Sequence, residues 1–242
     1  MGVQSIERAF GLLEAVAGQG QMSLSQLAAA CQLPLPTIHR LARTMVDLGY
    51  LRQEPNRQYT LGPRVLLFGE SSSKMLNNVA LPHLRALVEE IGETANLAMR
   101  DGDQVAYIAQ APGRHAMRMF TEVGRRVLPH CTAVGKVLLA PMNDDAVRLI
   151  LRRTGMPRHT EHTLVQPEEY VAHLARVREL GYAVDEGEQE VGVRCVAVAV
   201  PHPLAHLAIS LSGPAPRMSD ELLTRALPLL RRSAQTLAGE LR

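Results

Sequence analysis

The sequence of 242 residues is poor in cysteine and has no long apolar segment. Its three cysteines, Cys31, Cys131 and Cys195, are far apart and form no C-x-x-C pair, which argues against a disulfide framework and against a zinc knuckle. No apolar run approaches the roughly 18 residues of a membrane-spanning helix, and the first ten residues lack the basic-then-apolar layout of a signal peptide. We therefore expect a cytoplasmic protein with reduced thiols and no membrane association.

A strong excess of charge of either sign is also absent. The formal net charge of +2 neither demands nor excludes nucleic acid, because a binding domain can be locally basic within a balanced chain. Hydrophobic residues make up 46% of the chain and charged residues 21%, as in folded proteins. The length suits a small domain followed by a larger one, so the placement of the charges must identify any binding surface.

Metal-binding motifs are missing as well. The nine histidines include no H-E-x-x-H motif. The close pair His159 and His162 falls in a segment without a clear helical pattern, and loop histidines are the simpler explanation. We expect no metal site and no cofactor.

The segment 23–48 has the pattern of a helix-turn-helix. Ser23 and Gln26 form a capping box at the start of one helix, and Pro34 and Pro36 fix the turn and the start of the next. Apolar residues on one side of the second helix recur at three- and four-residue steps: Ile38, Leu41, Ala42, Met45 and Leu48. Its other side carries polar residues: Thr37, His39, Arg40, Arg43 and Thr44. The second helix of such a motif enters the major groove, which predicts DNA contacts by Thr37, His39, Arg40 and Arg43.

The flanking segments complete a winged helix-turn-helix. A helix is expected from an N-cap at Ser5 to about Ala17, with a buried stripe made of Ile6, Ala9, Phe10, Leu13 and Val16. Residues 50–52 and 58–61 are predicted to form two short strands around the turn 54–57, a hairpin of the kind called a wing. Arg52 and Arg57 lie where such a wing meets DNA phosphate.

The rest of the chain predicts a second, mixed domain. Pro82 indicates a broken linker followed by a helix over residues 81–91. Residues 96–100 and 105–110 are expected to form a hairpin around Asp101-Gly102, and residues 116–120 a third strand with Met117 and Met119 in the core. Helices are predicted over 133–139, 144–153, 167–180 and 219–240, and strands over 193–200 and 207–212.

The fold class is therefore α+β, with an N-terminal winged helix-turn-helix, a linker helix and a C-terminal α/β domain with a mainly antiparallel sheet. The expected boundaries are 1–62 for the DNA-binding domain, 63–80 for the linker helix and 81–242 for the C-terminal domain.

Several stretches in order along the chain resemble the IclR family of bacterial transcriptional regulators. They are SIERAFGLLEAV, LPLPTIHRLARTMVDLGYL, YTLGPRVLLFG, HCTAVGKVLLA, GYAVDEGEQEVGVRCVAVAV and ISLSGPAPRMS. The most specific is the block G-Y-A-x-D-x-x-E-x-x-x-G-V-x-C that begins at Gly181. The resemblance implies a GAF-like sensor domain that binds a small metabolite, and a homodimer or a dimer of dimers. Pro36 departs from the family, in which Ser or Thr usually precedes the helical threonine.

A second candidate site lies at the start of the predicted helix 133–139. Thr132 can cap this helix, and its first-turn N–H groups and dipole favour an anion such as a carboxylate, with Gly135 removing one side chain from the approach. By resemblance, the effector-binding positions of the family correspond to Ala133 and Val134 (backbone), Asp185, Cys195, Ser210 and Ser212. Ser210 and Ser212 are two apart on a strand and therefore share one face.

Two other functions compete with this hypothesis. A thiol-based redox sensor would use Cys131 and Cys195 if they approach each other. An enzyme acting on small carboxylates would need a nucleophile beside a base, from His130 with Cys131 or from Cys195 with His202 or His206, but adjacent side chains on an extended segment point apart. The preferred hypothesis is a repressor or activator, not an enzyme, that binds double-stranded operator DNA under control of a small organic or aromatic acid.

Overall fold

A computed structural model describes residues 3–119, 122–203 and 206–241. The chain separates into two compact units, Met1–Lys74 and Met75–Arg242. The elements of the first unit, in chain order, are α1 Gln4–Gln19, α2 Leu24–Cys31, α3 Leu35–Asp47, β1 Leu51–Gln53, β2 Tyr59–Leu61 and the start of α4 Arg64–Ile91. The described residues include no helix long and apolar enough to cross a membrane.

Local sequence signals set the ends of the helix-turn-helix. The Ser23 hydroxyl accepts from the Gln26 backbone N–H, and the Gln26 side chain accepts from the Ser23 N–H, so the predicted capping box of α2 is confirmed. Helix α3 has Pro36 in its first turn and ends before Gly49, whose φ of 78° lies in the left-handed region. Ile38, Ala42 and Met45 of α3 are buried, in one core with Leu12, Val16 and Leu27.

The prediction for α1 is wrong in two respects. The helix begins at Gln4 after Val3, so Ser5 is not its N-cap. Its buried residues are Leu12 and Val16, whereas Ile6 and Phe10 remain 54% and 60% exposed. Apolar periodicity identifies the apolar face of a helix, but it does not show which residues of that face are buried by the rest of the same chain.

Helix α4 is continuous, which corrects the prediction of a broken linker. Pro82 lies inside it and cannot donate a backbone N–H to the preceding turn. Burial of Ala80, Leu84 and Leu87 against the core of the second unit stabilises the helix around the proline. Proline is expected to end or break a helix, but here tertiary packing keeps α4 continuous through Pro82.

The second unit is a six-stranded sheet with helices on both faces. Its further elements are β3 Thr94–Asp101, β4 Gln104–Ala111, β5 Arg126–Val127, a 3-10 turn Pro129–Cys131, α5 Ala133–Leu139, α6 Asp144–Thr154, α7 Pro167–Leu180, β6 Ala183–Glu186, β7 Val193–Val200, β8 Leu207–Pro214 and α8 Asp220–Glu240. The strand order is β5-β4-β3-β8-β7-β6, and every neighbouring pair is antiparallel. The predicted antiparallel α/β domain is confirmed.

The two faces of the sheet bury different helices. Helices α4 and α8 pack on the face that carries Leu97, Ile209 and Leu211. Helices α5, α6 and α7 pack on the other face, with Ala98, Ala197 and Ala208 beneath them. Small residues on this second face let the fully buried helix α5 lie close to the sheet.

One predicted strand is not formed. Residues 116–119 are irregular, and Phe120 lies outside the described residues. The sheet continues instead with β5, which pairs with Val105 and Ala106 of β4. Met117 is 75% exposed, so it is not the core residue that we predicted.

Candidate functional site

Helix α3 presents a polar face opposite its buried side. His39, Arg40 and Arg43 are exposed, whereas Thr37 is half-buried. The Thr44 hydroxyl donates to the Arg40 carbonyl at 3.0 Å, so it is occupied within the helix. Two guanidinium groups and one imidazole therefore lie on the surface of α3, where a groove or a phosphate backbone can reach them.

The wing adds two more cations. The Glu54 carbonyl accepts from the Arg57 N–H at 2.9 Å, and Arg57 has a φ of 63°, the left-handed conformation that lets a short loop reverse the strand. Arg57 and Arg52 are exposed, with Arg52 3.4 Å from the Glu54 carboxylate. The structure thus places every predicted DNA-contacting residue on the surface of the first unit except Thr37, which is half-buried.

A narrow cavity of about 30 Å³ lies on the α5 side of the sheet. Its wall contains Tyr107, Met119, Arg125, Val127, Thr132, Asp185, Gln189, Glu190, Val193, Cys195 and Ser212. The sheet register explains the grouping, because Asp185 pairs with Cys195 and Cys195 pairs with Ser212 across β6, β7 and β8. Three of the six predicted effector-binding residues therefore lie side by side in one cavity.

The other three predicted residues lie next to this wall without lining it. Ser210 precedes Ser212 by two positions on β8, and Ala133 and Val134 follow Thr132 at the start of α5. The Thr132 hydroxyl accepts from the Gly135 N–H at 3.2 Å, so the predicted cap is confirmed. Gly135 has a different role from the predicted one, because a Cβ there would lie 2.3 Å from the Pro129 carbonyl oxygen.

Asp185 is a buried carboxyl that accepts hydrogen bonds from the backbone N–H groups of Glu188 and Gln189. Its Oδ1 accepts from the Glu188 N–H at 2.6 Å. Burial raises the pKa of Asp185 from its ordinary value to about 7, and the nearby Glu188 charge acts in the same direction. The two backbone hydrogen bonds and the Lys136 charge oppose that shift in pKa. A carboxyl with this pKa is protonated in a large share of molecules at neutral pH and can then donate a hydrogen bond.

A row of polar side chains extends from the cavity across the sheet. The Asn96 amide donates to Ser212 Oγ at 3.3 Å and to Ser210 Oγ at 3.5 Å. Its carbonyl oxygen accepts from the Gln110 amide at 3.3 Å. Neither Asn96 nor Gln110 was predicted as a functional residue, because their partners are more than ten residues away along the chain.

Lys136 and Glu188 form a buried ion pair beneath the cavity. The Lys136 ammonium donates to the Glu188 carboxylate and to the Val184 carbonyl, the latter at 2.8 Å. Helix α5 is otherwise apolar, so an isolated lysine in it was the one signal in the sequence for this pair. The pair fixes the loop after β6, in which Gln189 and Glu190 contribute to the cavity wall.

Neither cysteine of the redox hypothesis has the surroundings of a reactive thiol. Burial raises the pKa of Cys131 to about 12, and it raises the pKa of Cys195 well above its ordinary value. The thiolate is the reactive form, so both side chains are unreactive thiols at neutral pH. This weakens the case for a peroxide sensor.

Arg125 is a cavity residue that sequence reasoning missed. It lines the opening and is exposed, so it supplies a positive charge at the entrance to a wall that contains Asp185 and Glu190. Tyr107 lies deeper, and burial raises the pKa of its hydroxyl, which therefore stays protonated. The cavity thus combines a cation, a phenol and a hydroxyl donor, Ser212, and these groups suit a small acid.

Comparisons with known proteins agree with these features. Residues 5–55 match the family model for the IclR helix-turn-helix domain, and residues 70–238 match that for the bacterial transcriptional regulator IclR C-terminal domain. The transcriptional repressor IclR of Escherichia coli K12 is 36% identical over 92% of this chain and 84% of its own length. The crystal structure of an IclR transcriptional regulator from Alicyclobacillus acidocaldarius is 29% identical, covers 99% of both chains and superposes with a TM-score of 0.65.

A third relative shares the fold and holds a ligand. It is an IclR homologue from Microbacterium hydrocarbonoxydans complexed with 4-hydroxybenzoate, 24% identical, with a TM-score of 0.65 over 98% of this chain and 99% of its own. The fold and the family matches together define a DNA-binding transcriptional regulator. The chain belongs to the IclR family, as the sequence motifs predicted.

Proposed function

We propose that this regulator contacts operator DNA through His39, Arg40 and Arg43 of α3, with Thr37 at the start of the helix and Arg52 and Arg57 on the wing. The observation that supports the proposal is the exposed polar face of α3 opposite Ile38, Ala42 and Met45. Arginine pairs bidentately with guanine and also binds phosphate. The recognition helix and wing therefore act together, with the wing adding affinity that does not depend on base sequence.

The regulator is proposed to act as a homodimer or tetramer. An apolar groove of about 580 Å³ in the first unit is lined by residues that include Ile6, Phe10, Leu13, Leu48 and Phe68. A second copy would cover this groove and present two recognition helices to half-sites about 34 Å or a multiple apart. Sedimentation of wild type and Phe10→Glu tests this step, with a shift toward monomer expected in the variant.

DNA binding can be tested without knowing the operator. Duplexes selected from a random pool by the full-length protein would provide the site, and binding would be measured at several salt concentrations. Replacing Arg40 by Ala should weaken binding by roughly 5- to 150-fold, which corresponds to about 1–3 kcal/mol for a bidentate contact with a base. Arg232→Ala, which removes an exposed charge from α8, is the matched control. Unchanged affinity of Arg40→Ala would refute the assignment of α3.

The second part of the proposal is that a small carboxylate binds in the cavity between Thr132, Asp185 and Ser212. Arg125 would attract the anion and a protonated Asp185 would donate a hydrogen bond to it, as neutral carboxylic acids do in other buried sites. Ala133 and Val134 are proposed to contribute backbone N–H groups, and Cys195 and Ser210 to complete the wall. The 4-hydroxybenzoate complex of the Microbacterium protein makes small aromatic acids the first compounds to test.

Opening of the cavity would connect ligand binding with DNA binding. A volume of about 30 Å³ holds one or two water molecules, so an organic acid enters only if the wall moves outward. Several wall residues lie outside regular strands, among them Met119 in the irregular segment 112–119 and Gln189 and Glu190 in the loop after β6. A ligand that binds only the opened wall shifts the population toward it and can thereby change the subunit arrangement.

A thermal-shift screen of organic and aromatic acids tests the second part. A ligand present at 100 times its Kd stabilises by about 2.7 kcal/mol, which raises Tm by roughly 5–10 °C in a domain of this size. Arg125→Ala should abolish the shift, whereas Arg126→Ala should retain it, because Arg126 pairs with Asp101 at 2.6 Å instead of lining the cavity. A shift of equal size in both variants would place the ligand elsewhere.

A further inference from the structure

Three side chains outside the proposed cavity bring metal-ligating atoms together. One donor atom from each of His130, Cys131 and His159 lies within 4.8 Å of the other two. His130 and Cys131 belong to the 3-10 turn before α5, and His159 belongs to the loop after α6. No metal motif was recognisable in the sequence because residues 132–158 separate Cys131 from His159, and only the fold brings the three side chains together.

His130 is held in the form in which a histidine binds a metal. Its Nε2 lies 3.0 Å from the Pro157 carbonyl oxygen. A carbonyl oxygen only accepts, so Nε2 carries the proton and donates, which leaves a lone pair on Nδ1. That Nδ1 atom is buried and has no hydrogen-bond partner among the described residues. Histidines that bind metals commonly donate their second ring nitrogen to a backbone carbonyl in this way.

The other two ligands provide a soft donor and an entry path. Cys131 is fully buried, and its thiol donates to the Gln189 side-chain oxygen Oε1 at 2.8 Å. His159 is exposed, with its ring centroid 6.0 Å from that of His130. A cation can therefore reach the site from solvent through His159 and meet the two buried donors behind it.

We propose that His130 Nδ1, Cys131 Sγ and His159 form a binding site for a divalent d-block cation, with Zn²⁺ as the best match. Two imidazole nitrogens and one thiolate are a typical zinc ligand set, and the fourth tetrahedral position is left for water or the Gln189 oxygen. Ligand atoms around tetrahedral zinc lie about 3.5 Å apart, from bond lengths of about 2.0–2.3 Å. The three ligand atoms lie within 4.8 Å of one another, so they must approach by about 1 Å to reach the tetrahedral spacing. A rotation of the exposed His159 side chain provides this movement.

Binding would change the wall of the neighbouring cavity. Coordination replaces the Cys131 proton with the cation, and the proton leaves to solvent, so Cys131 no longer donates to Gln189. Gln189 lines the cavity, and Thr132, the residue after Cys131, also lines it. The cation would tie the loop 155–163 to the start of α5 and thereby stiffen one side of the cavity.

Cobalt provides the direct test on the full-length protein. After chelation, wild type is titrated with Co²⁺, and metal content is measured separately after equilibration with Zn²⁺. The expected results are one Zn²⁺ per chain and a thiolate-to-cobalt charge-transfer band in the near ultraviolet. His159→Ala should lose affinity by roughly 100-fold or more, beyond the 10–100-fold typical of outer-sphere changes, and Cys131→Ser should lose the band.

Matched controls make each outcome decisive. His162→Ala and Cys31→Ser remove a histidine and a cysteine outside the cluster, so both should behave as wild type. His159 is exposed, so its replacement leaves the core intact even if Cys131→Ser folds poorly. Absence of a thiolate band in wild type, or undiminished affinity in His159→Ala, would overturn the proposal. A band that disappears in Cys195→Ser and persists in Cys131→Ser would also overturn it.

Discussion

Asp185 makes a testable contribution to how stability depends on pH. Burial raises the pKa of Asp185 from 3.8 to about 7, so the folded chain holds a proton in this range that the unfolded chain has released. Protonation of Asp185 therefore contributes fully to the free energy of unfolding below about pH 4. This contribution is lost as the pH rises through 7. At 1.36 kcal/mol per pKa unit, the difference between the two pKa values corresponds to about 4 kcal/mol.

Replacing Asp185 by Asn removes the ionisable group and keeps the acceptor. The Asn carbonyl oxygen can still accept from the Glu188 N–H, which lies 2.6 Å from Oδ1 in the wild type. We therefore expect the variant and the wild type to have similar free energies of unfolding near pH 4. At pH 8 the variant should be more stable by about 4 kcal/mol, because the wild type then keeps a buried, ionised carboxylate.

Urea denaturation followed by circular dichroism at several pH values from 4 to 8 measures this difference. The control is Asp145→Asn on α6, whose carboxylate is 97% exposed and pairs with Arg148, so its replacement should change the free energy of unfolding by no more than about 1 kcal/mol. If the free energies of unfolding of wild type and Asp185→Asn change in parallel with pH, the proposed protonation of Asp185 is refuted. The proposed hydrogen bond from Asp185 to a carboxylate effector is then refuted as well.

Four further substitutions test the ion pair under the cavity, the turn before α5 and the cap of α2. Lys136→Met leaves the Glu188 carboxylate buried without its partner and should lower the free energy of unfolding by about 3–5 kcal/mol. Adding Glu188→Leu to Lys136→Met should restore most of the lost free energy of unfolding. Urea denaturation of the single and double variants measures this, and a double variant no more stable than Lys136→Met would contradict the expectation. Gly135→Ala places a Cβ 2.3 Å from the Pro129 oxygen and should lower the free energy of unfolding by about 1–3 kcal/mol in the same assay. An unchanged denaturation midpoint would mean that the turn Pro129–Cys131 moves aside without cost. Ser23→Ala removes the cap of α2 and should cost about 1 kcal/mol, measured as reduced amide protection in that helix, and equal protection would contradict the capping role.

Features set by neighbouring residues were predictable from the sequence. The capping box at Ser23, the Thr132 cap and the end of α7 at Gly181 were all correct, because a few adjacent residues determine each of them. Strand β7 was also predicted with its correct bounds. A mainly antiparallel sheet was predicted from alternation and turn residues together with the family motifs, but β5 and β6 were missed and residues 116–119 form no strand.

Features set by distant residues were not predictable. The continuity of α4 through Pro82 depends on packing against the core, and the partner of Lys136 lies 52 residues away. Likewise, the environment of Asp185 arises only when β6, β7 and β8 align. The family motifs pointed to three of the residues that line the cavity, Asp185, Cys195 and Ser212. The small volume of the cavity, the position of Arg125 and the cluster around His130 depend on contacts between distant parts of the chain.

The central claim is that a small acid in the cavity controls DNA binding, and one measurement tests it most directly. The Kd for a selected duplex is determined with and without a ligand from the thermal screen, for wild type, Arg125→Ala and Arg126→Ala. We expect the ligand to change the Kd by roughly 5- to 150-fold, the usual range of coupling between sites, in wild type and Arg126→Ala but not in Arg125→Ala. An unchanged wild-type Kd, or an equal change in Arg125→Ala, would contradict the account.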